Sequence, residues 1–261
     1  MLQPPPHVLD ARIVDPRLAY AWDEWRVSRT YQPGDGALAT QAAALCHRGN
    51  VALCAAMAEW VIWRYQGLVD LQPALDALEA AWAANVHTAY ARYFEVEDDD
   101  WRGVMLGPQR MALAIVGDLV WGRNQARPGV HAGWLSQLAC HVLPTTEAFR
   151  AWQSACLQRL LATASAPAPG PAGNPPGSAL PDPADAGHAP MFDDEFDIGP
   201  WVPRELFDLA RPWHPLQTRG LIEQFIAGLD PGRNPQLNQP DEMLAFGDFT
   251  GFPYRITDDD T

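Results

Sequence analysis

One segment restricts the fold more than any other. Residues 51–66 read Val-Ala-Leu-Cys-Ala-Ala-Met-Ala-Glu-Trp-Val-Ile-Trp-Arg-Tyr-Gln. They have helical composition and almost no polar face. A helix that is apolar all round must be covered on every side, so it belongs at the centre of a domain. At fewer than 18 residues, and with Glu59 and Arg64 inside it, the segment is too short and too charged to span a bilayer. The spacing predicts a helix over Val51–Gln66, with Asn50 as its N-cap and Gly67 as its stop.

The rest of the chain offers material to cover it. The 261 residues include 40 Ala against 21 Val plus Ile, a balance that favours helix over strand. A first helix is expected over Asp15–Arg29, with Leu18, Trp22 and Trp25 near one face. A second runs over Ala37–His47. Pro73 opens a fourth that carries Leu75, Leu78, Trp82, Val86 and Tyr90 to about Phe94. Pro108 opens a fifth to about Arg123. A sixth spans Val130–Leu143. The seventh spans Thr146–Ala162, with Phe149, Trp152, Cys156 and Leu160 as its stripe. Short loops between these helices imply antiparallel neighbours.

From Ser165 to Pro190 the composition collapses to Ala, Pro, Gly and Asp, which cannot build a packed core. The expected organisation is a helical domain over 1–163, a linker over 164–190, and a C-terminal appendage over 191–261. The appendage carries short helices at Pro215–Leu229 and Pro240–Phe246. It is too small and too rich in Pro and Gly to stand alone, so it should pack back through Trp201, Phe207, Trp213, Phe225 and Phe252. The fold class is mostly α: an antiparallel multi-helix domain with a small, mainly helical C-terminal appendage.

Charge narrows the function. Asp plus Glu number 32 against 18 basic residues, all of them Arg, for a net charge of −14. A nucleic-acid binder needs a basic footprint, and an anionic membrane attracts basic surfaces, so neither is an expected partner. The start Met-Leu-Gln-Pro-Pro-Pro-His has no secretory pattern, and Cys46, Cys54, Cys140 and Cys156 are too sparse for a disulfide scaffold. Both point to a cytoplasmic protein with reduced cysteines.

No Walker loop, G-x-G-x-x-G, G-x-S-x-G or H-E-x-x-H motif occurs in the sequence. His131, Cys140 and His141 are close in sequence. A nine-residue separation on a helix puts His131 and Cys140 on nearly opposite faces, so no metal site is expected. Asp193 to Asp197 resembles a calcium loop, but Ile198 and Arg204 stand where Gly and Glu are required. No cofactor is expected.

Glu59 and Glu79 interrupt apolar helix patterns and are the only catalytic candidates. Two facing buried carboxylates can separate their pKa values and move protons. Alternatively each pairs with an Arg such as Arg64 or Arg92. The binding candidates are acidic and aromatic. Glu95, Glu97, Asp98, Asp99 and Asp100 form a compact negative run ending at Trp101. Asp193, Asp194, Glu195, Phe196 and Trp201 repeat that chemistry. Packed carboxylates attract a basic surface, and a tryptophan beside them can anchor it. Each run also has a plain alternative, a solvated loop for the first and an intramolecular latch for the second. The expected function is non-enzymatic: a bacterial cytoplasmic protein docking a basic protein partner, in the manner of an immunity protein against a toxin. An enzyme using the buried carboxylates and a scaffold subunit of a larger assembly are the alternatives.

Overall fold

The computed structural model describes residues 2–27, 36–93, 101–122, 129–166, 198–246 and 249–256. It is mostly helical, and among the described residues no strand forms; the only β pairings are isolated bridges such as Leu45 with Ser165 and Ala91 with Leu237. In chain order the helices are α1 (Pro6–Asp10), α2 (Gly36–Ala42), α3 (His47–Trp63), α4 (Gln72–Val86), α5 (Gly103–Trp121), α6 (Val130–Val142), α7 (Glu147–Thr163), α8 (Thr218–Ala227) and α9 (Pro240–Ala245).

The central position of α3 follows from its composition. Every residue from Gly49 to Trp63 is buried. It touches α4, α5, α6 and α7, and α2 packs on α6. Five alanines or glycines from Gly49 to Ala58 keep one stretch of α3 narrow, so neighbouring helices approach closely there. Leu53, Met57, Trp60 and Ile62 supply bulk, each worth about 1.5–3 kcal/mol when taken from water. The helix starts four residues earlier than its apolar run. Asn50 is not the N-cap. Cys46 is, with its Sγ accepting from the Gly49 N–H, while the Asn50 side chain donates back to the carbonyls of Ala42, Leu45 and Cys46.

The second helix stops at Ala42 rather than His47, and further elements differ from the sequence reading for identifiable reasons. Residues 15–23 are not helical; only a short 3-10 turn forms at Glu24–Arg26. Other groups take the carbonyls that a helix would use. Arg64 donates to Asp15 and Arg17, and the His141 ring meets Ala21. The extended path turns Trp25 outward, and it is 75% exposed. In α5, Pro108 lies inside the helix rather than at its start. Its missing N–H leaves the Val104 carbonyl without its i+4 partner. The Tyr20 hydroxyl donates to that carbonyl instead, beside the Tyr65 hydroxyl. α5 is also the one described helix long and apolar enough to cross a membrane, but more than half of that window is buried and it packs on α3, α4 and α6.

α4 stops at Val86, and the chain continues through a 3-10 turn at Thr88–Tyr90 rather than as helix to Phe94. The segment beyond residue 198 lies against this region. Asn238 donates to the carbonyls of Ala89 and Ala91, Asn234 donates to Asp76 and Glu79, and Arg92 pairs with Glu242 at 2.7 Å. Its buried apolar residues include Leu206, Phe207, Ile222, Ile226, Leu237 and Met243. Trp201, Trp213 and Phe225 pack at the core's edge, whereas Phe252 is 62% exposed and is not an anchor. Residues 167–190 of the expected linker fall outside the described residues.

Gly129 tests the packing of α6 on α2. Its φ is +84°, and a Cβ there would lie 2.3 Å from the Ala39 carbonyl oxygen and 2.6 Å from the Ala43 nitrogen. Both are backbone atoms and cannot move aside cheaply. Gly129→Ala should therefore lower the unfolding free energy by about 2 kcal/mol or more in urea denaturation, whereas Gly220→Ala, with open space around it, should change it little.

Candidate functional site

The polar centre of the molecule is built on Glu59. Its carboxylate is 2% exposed, on a helix whose other charged residue, Arg48, stands eleven positions earlier. Such a group must be paired and hydrogen-bonded to stay ionised. The partner comes from 145 residues away. Arg204 approaches as a fork, with Nε 2.7 Å from Oε1 and an Nη 2.6 Å from Oε2. The Trp82 indole N–H from α4 donates to Oε1 at 3.0 Å. Arg204 also donates to the Gln3 carbonyl, which ties the N-terminal segment to the same ion pair. Burial alone would lower the guanidinium's pKa, but the Glu59 charge and hydrogen bonds outweigh it and hold it above its ordinary value. Glu79 contributes more weakly to the same field. Its own side chain accepts from the Asn234 amide at 2.9 Å.

The sequence thus pointed to buried pairing but named the wrong arginines. Arg64 stands five residues past Glu59, about 140° round the helix. It spends its donors on the carbonyls of Val142, Asp15 and Arg17. Arg92 holds Glu242. The choice of Arg204 had no local signal, because the sequence does not encode a contact across 145 residues in any periodicity.

His7 adjoins the ion pair and was not singled out by sequence reasoning. It stacks on Trp152 at 4.8 Å and 21°, and tilts against Trp60 at 5.5 Å. Neither ring nitrogen has a hydrogen-bond partner. Burial first, and then the Arg204 charge, push its pKa down to about 4. Two cavities flank it. One, of about 220 Å³, is lined by Glu59, Arg204, Glu205, Asp208, Arg211 and the Pro4–Pro6 run, among others. The other, of about 420 Å³, is walled by Trp60, Trp152, Asp10 and Asp208 among others.

The binding candidates separate into two groups. Glu95, Glu97, Asp98, Asp99, Asp100, Asp193, Asp194, Glu195 and Phe196 lie outside the described residues. Trp101 and Trp201 are described. Trp101 is half-buried in a surface groove with Trp22, Trp25, Val27, Arg102, Arg110 and Met111. The Arg102 guanidinium sits 5.3 Å over the Trp25 ring. Tyr93, at the other side of the acidic run, is 65% exposed and meets Trp121 edge-on at 5.8 Å. Trp201 instead packs inward under the Arg48 guanidinium, 5.7 Å away. Arg48 also clasps the C-terminal carbonyls of α4 at Asn85 and Val86, and that of Gly199. Trp201 therefore has the geometry of an internal contact.

His131 and His141 are engaged in separate places, His131 against Trp134 and His141 at Ala21. Among the described residues no three His, Cys, Asp or Glu are grouped closely enough to hold a metal ion. No protein-family model matches this chain, nor does any curated protein or solved structure.

Two measurements probe this centre. Glu59→Leu leaves Arg204, 25% exposed, without its counter-charge and should cost about 3 kcal/mol, the low end for a buried pair. The double variant Glu59→Leu with Arg204→Met should recover most of that loss in denaturant titration, since it leaves no orphan charge. For His7, the folded pKa lies below the ordinary value of 6.5, so the unfolded chain binds the proton first. Stability is then full above pH 6.5 and falls as pH drops toward 4, by on the order of 3 kcal/mol from this group. A His7→Phe variant, melted across the same range beside wild type, should lack that part of the slope.

Proposed function

We propose that this chain is a binding protein that docks a basic protein partner through the groove at Trp101. The observation that carries this reading is the exposed aromatic cluster flanking the acidic run. Trp25 is 75% exposed beside Trp101 at one end, and Tyr93 is 65% exposed at the other. Between them in sequence stand Glu95, Glu97, Asp98, Asp99 and Asp100. Aromatic side chains left in water beside a block of one charge are the composition of an interface centre with its steering rim. A net charge of −14 extends that field and speeds encounter with a cationic protein.

In its finer form, the chain is a cytoplasmic bacterial immunity protein that covers the basic face of a toxin or nuclease. Strong acidity supports the docking role, and the Lys-free composition fits a bacterial origin. The enzyme alternative needs Glu59 free to move a proton, and both of its oxygens are bonded to Arg204.

The test uses a purified basic partner encoded beside this gene, with association followed by stopped-flow fluorescence. Neutralising Asp98, Asp99 and Asp100 to Asn should slow association at low salt by about tenfold and leave the melting temperature unchanged. Trp25→Ala and Trp101→Ala should instead raise the dissociation rate, each at a cost of about 2 kcal/mol. Unchanged association for the triple variant at low salt removes the acidic run from the binding account.

A further inference from the structure

Residues 2–13 are attached differently from the rest of the molecule. They carry α1 in their middle and lie against α3 and α7 through the His7 ring. Leu2, Val8 and Ile13 are buried. Among the described residues, one hydrogen bond ties this segment to the rest, from Arg204 to the Gln3 carbonyl. The amides of Val8, Leu9, Ala11 and Arg12 bond within the segment itself, to the carbonyls of Pro5, His7 and Leu9. Firm attachment begins at Asp15 and Arg17, whose carbonyls Arg64 holds. Arg12 stands just before that anchor, with φ +49°. The left-handed conformation costs a residue with a Cβ about 1 kcal/mol, which release of the segment would relieve.

His7 has both ring nitrogens shut off from water and without a hydrogen-bond partner. None of the charged groups around it is placed to accept from it. Arg204, Glu205, Asp208 and Arg211 face it from the turn at Arg204, Glu59 from α3, and Asp10 from α1 itself. Arg204 and Glu59 neutralise each other. Asp208 is taken up by Arg211 and by the Ala210 N–H, and Asp10 is exposed. α7 presents Ala148, Ala151 and Trp152, none of them charged. A neutral imidazole packs well between the two indoles. An imidazolium in the same place is a buried cation with two N–H donors, no acceptor and a guanidinium nearby.

We infer that residues 2–13 are an acid-released strap, which protonation of His7 lifts off α3 and α7 while the helical core stays folded. Release gives the imidazolium the water that the closed arrangement denies it. It breaks one hydrogen bond to the core and gives up the burial of Leu2, Val8 and Ile13. α3 keeps its cover from α4, α5 and α6, so the opening is local and less costly than global unfolding. What it uncovers is the Trp60–Trp152 face and the Glu59–Arg204 pair. The strap does not depend on the docking groove at Trp101, and its test needs no protein partner.

The experiment follows amide hydrogen exchange of the full-length protein by NMR at pH 7 and pH 5, corrected for the intrinsic pH dependence of exchange. The amides of Val8, Leu9, Ala11 and Arg12 report on the strap. With a closed-state value of about 4 and an open-state value of 6.5 for His7, their protection should fall about twentyfold over this range. Amides of α3 and α4 should keep theirs. His7→Phe keeps an aromatic ring between the indoles and cannot be protonated, so its strap protection should stay constant. His7→Leu serves the same purpose if the Phe variant fails to fold. Should the strap amides exchange too fast to follow, the strap is already open part of the time. The Val8 and Ile13 methyl signals then decide: they should move toward random-coil positions at pH 5 in wild type and not in the His7 variant. Protection lost in parallel across α3 means global unfolding and overturns the proposal. An unchanged strap at pH 5 overturns it too, as does an undiminished pH response in the His7 variants.

Discussion

A single buried carboxylate ties the molecule together. α3 is enclosed on all sides, and Glu59 sits in the middle of it with 2% of its side chain exposed. Such a carboxylate is tolerable only with a hydrogen-bonded counter-charge. Arg204 supplies it from the far side of the chain, and in doing so fixes more than one contact. The turn at Arg204–Phe207 is brought against α3 and α7, Trp82 of α4 completes the carboxylate's bonding, and Gln3 is held by the same guanidinium. Residues from both ends of the sequence thereby meet on the central helix. An apolar residue at position 59 would remove the electrostatic reason for that convergence.

Arginine serves a second purpose in this Lys-free chain: it satisfies backbone carbonyls where helices stop or fail to form. Arg159 is the fullest case, with two nitrogens donating to the carbonyls of Leu206, Asp208, Leu209 and Arg211. Arg48 does the same at the end of α4, and Arg64 along residues 15–17. Buried carbonyls must find donors, and irregular segments cannot supply their own. A guanidinium presents five N–H groups in a rigid fork and can serve several carbonyls at once, which a lysine ammonium does less well. These arginines are thus spent inside the structure. That sharpens the negative character of the surface beyond the net charge alone.

What could be read from the sequence divides along the same line. Periodicity located α3, α6 and α7, and the start of α4, to within a few residues, because burial on a helix face repeats every three or four positions; it carried α4 on to Phe94, where the helix ends at Val86. It failed over the described residues 15–27. Leu18, Trp22 and Trp25 have helical spacing there, but Arg64 and His141 take the backbone's acceptors. It also misplaced the start of α5, since Pro108 normally marks a first turn and here is accommodated by Tyr20. Glu59 was legible as a buried charge; Arg204 as its partner was not, and neither was His7. Sequence patterns report what a residue needs, and only the folded chain shows which distant residue meets the need.

The aromatic groups of the core and those at the surface differ in how they are held, and the difference has a physical origin. Trp60 and Trp152 are locked against His7 and Phe149 in the core. Their rings are almost completely covered, so they contribute packing rather than contact with a ligand. Trp25 and Tyr93 project into water and lose rotamer freedom only on contact. A protein partner with a large interface can offset that ordering cost, whereas a small ligand cannot. The exposed rings of Trp25 and Tyr93, and not the covered tryptophans, are thus aromatic surface left in water.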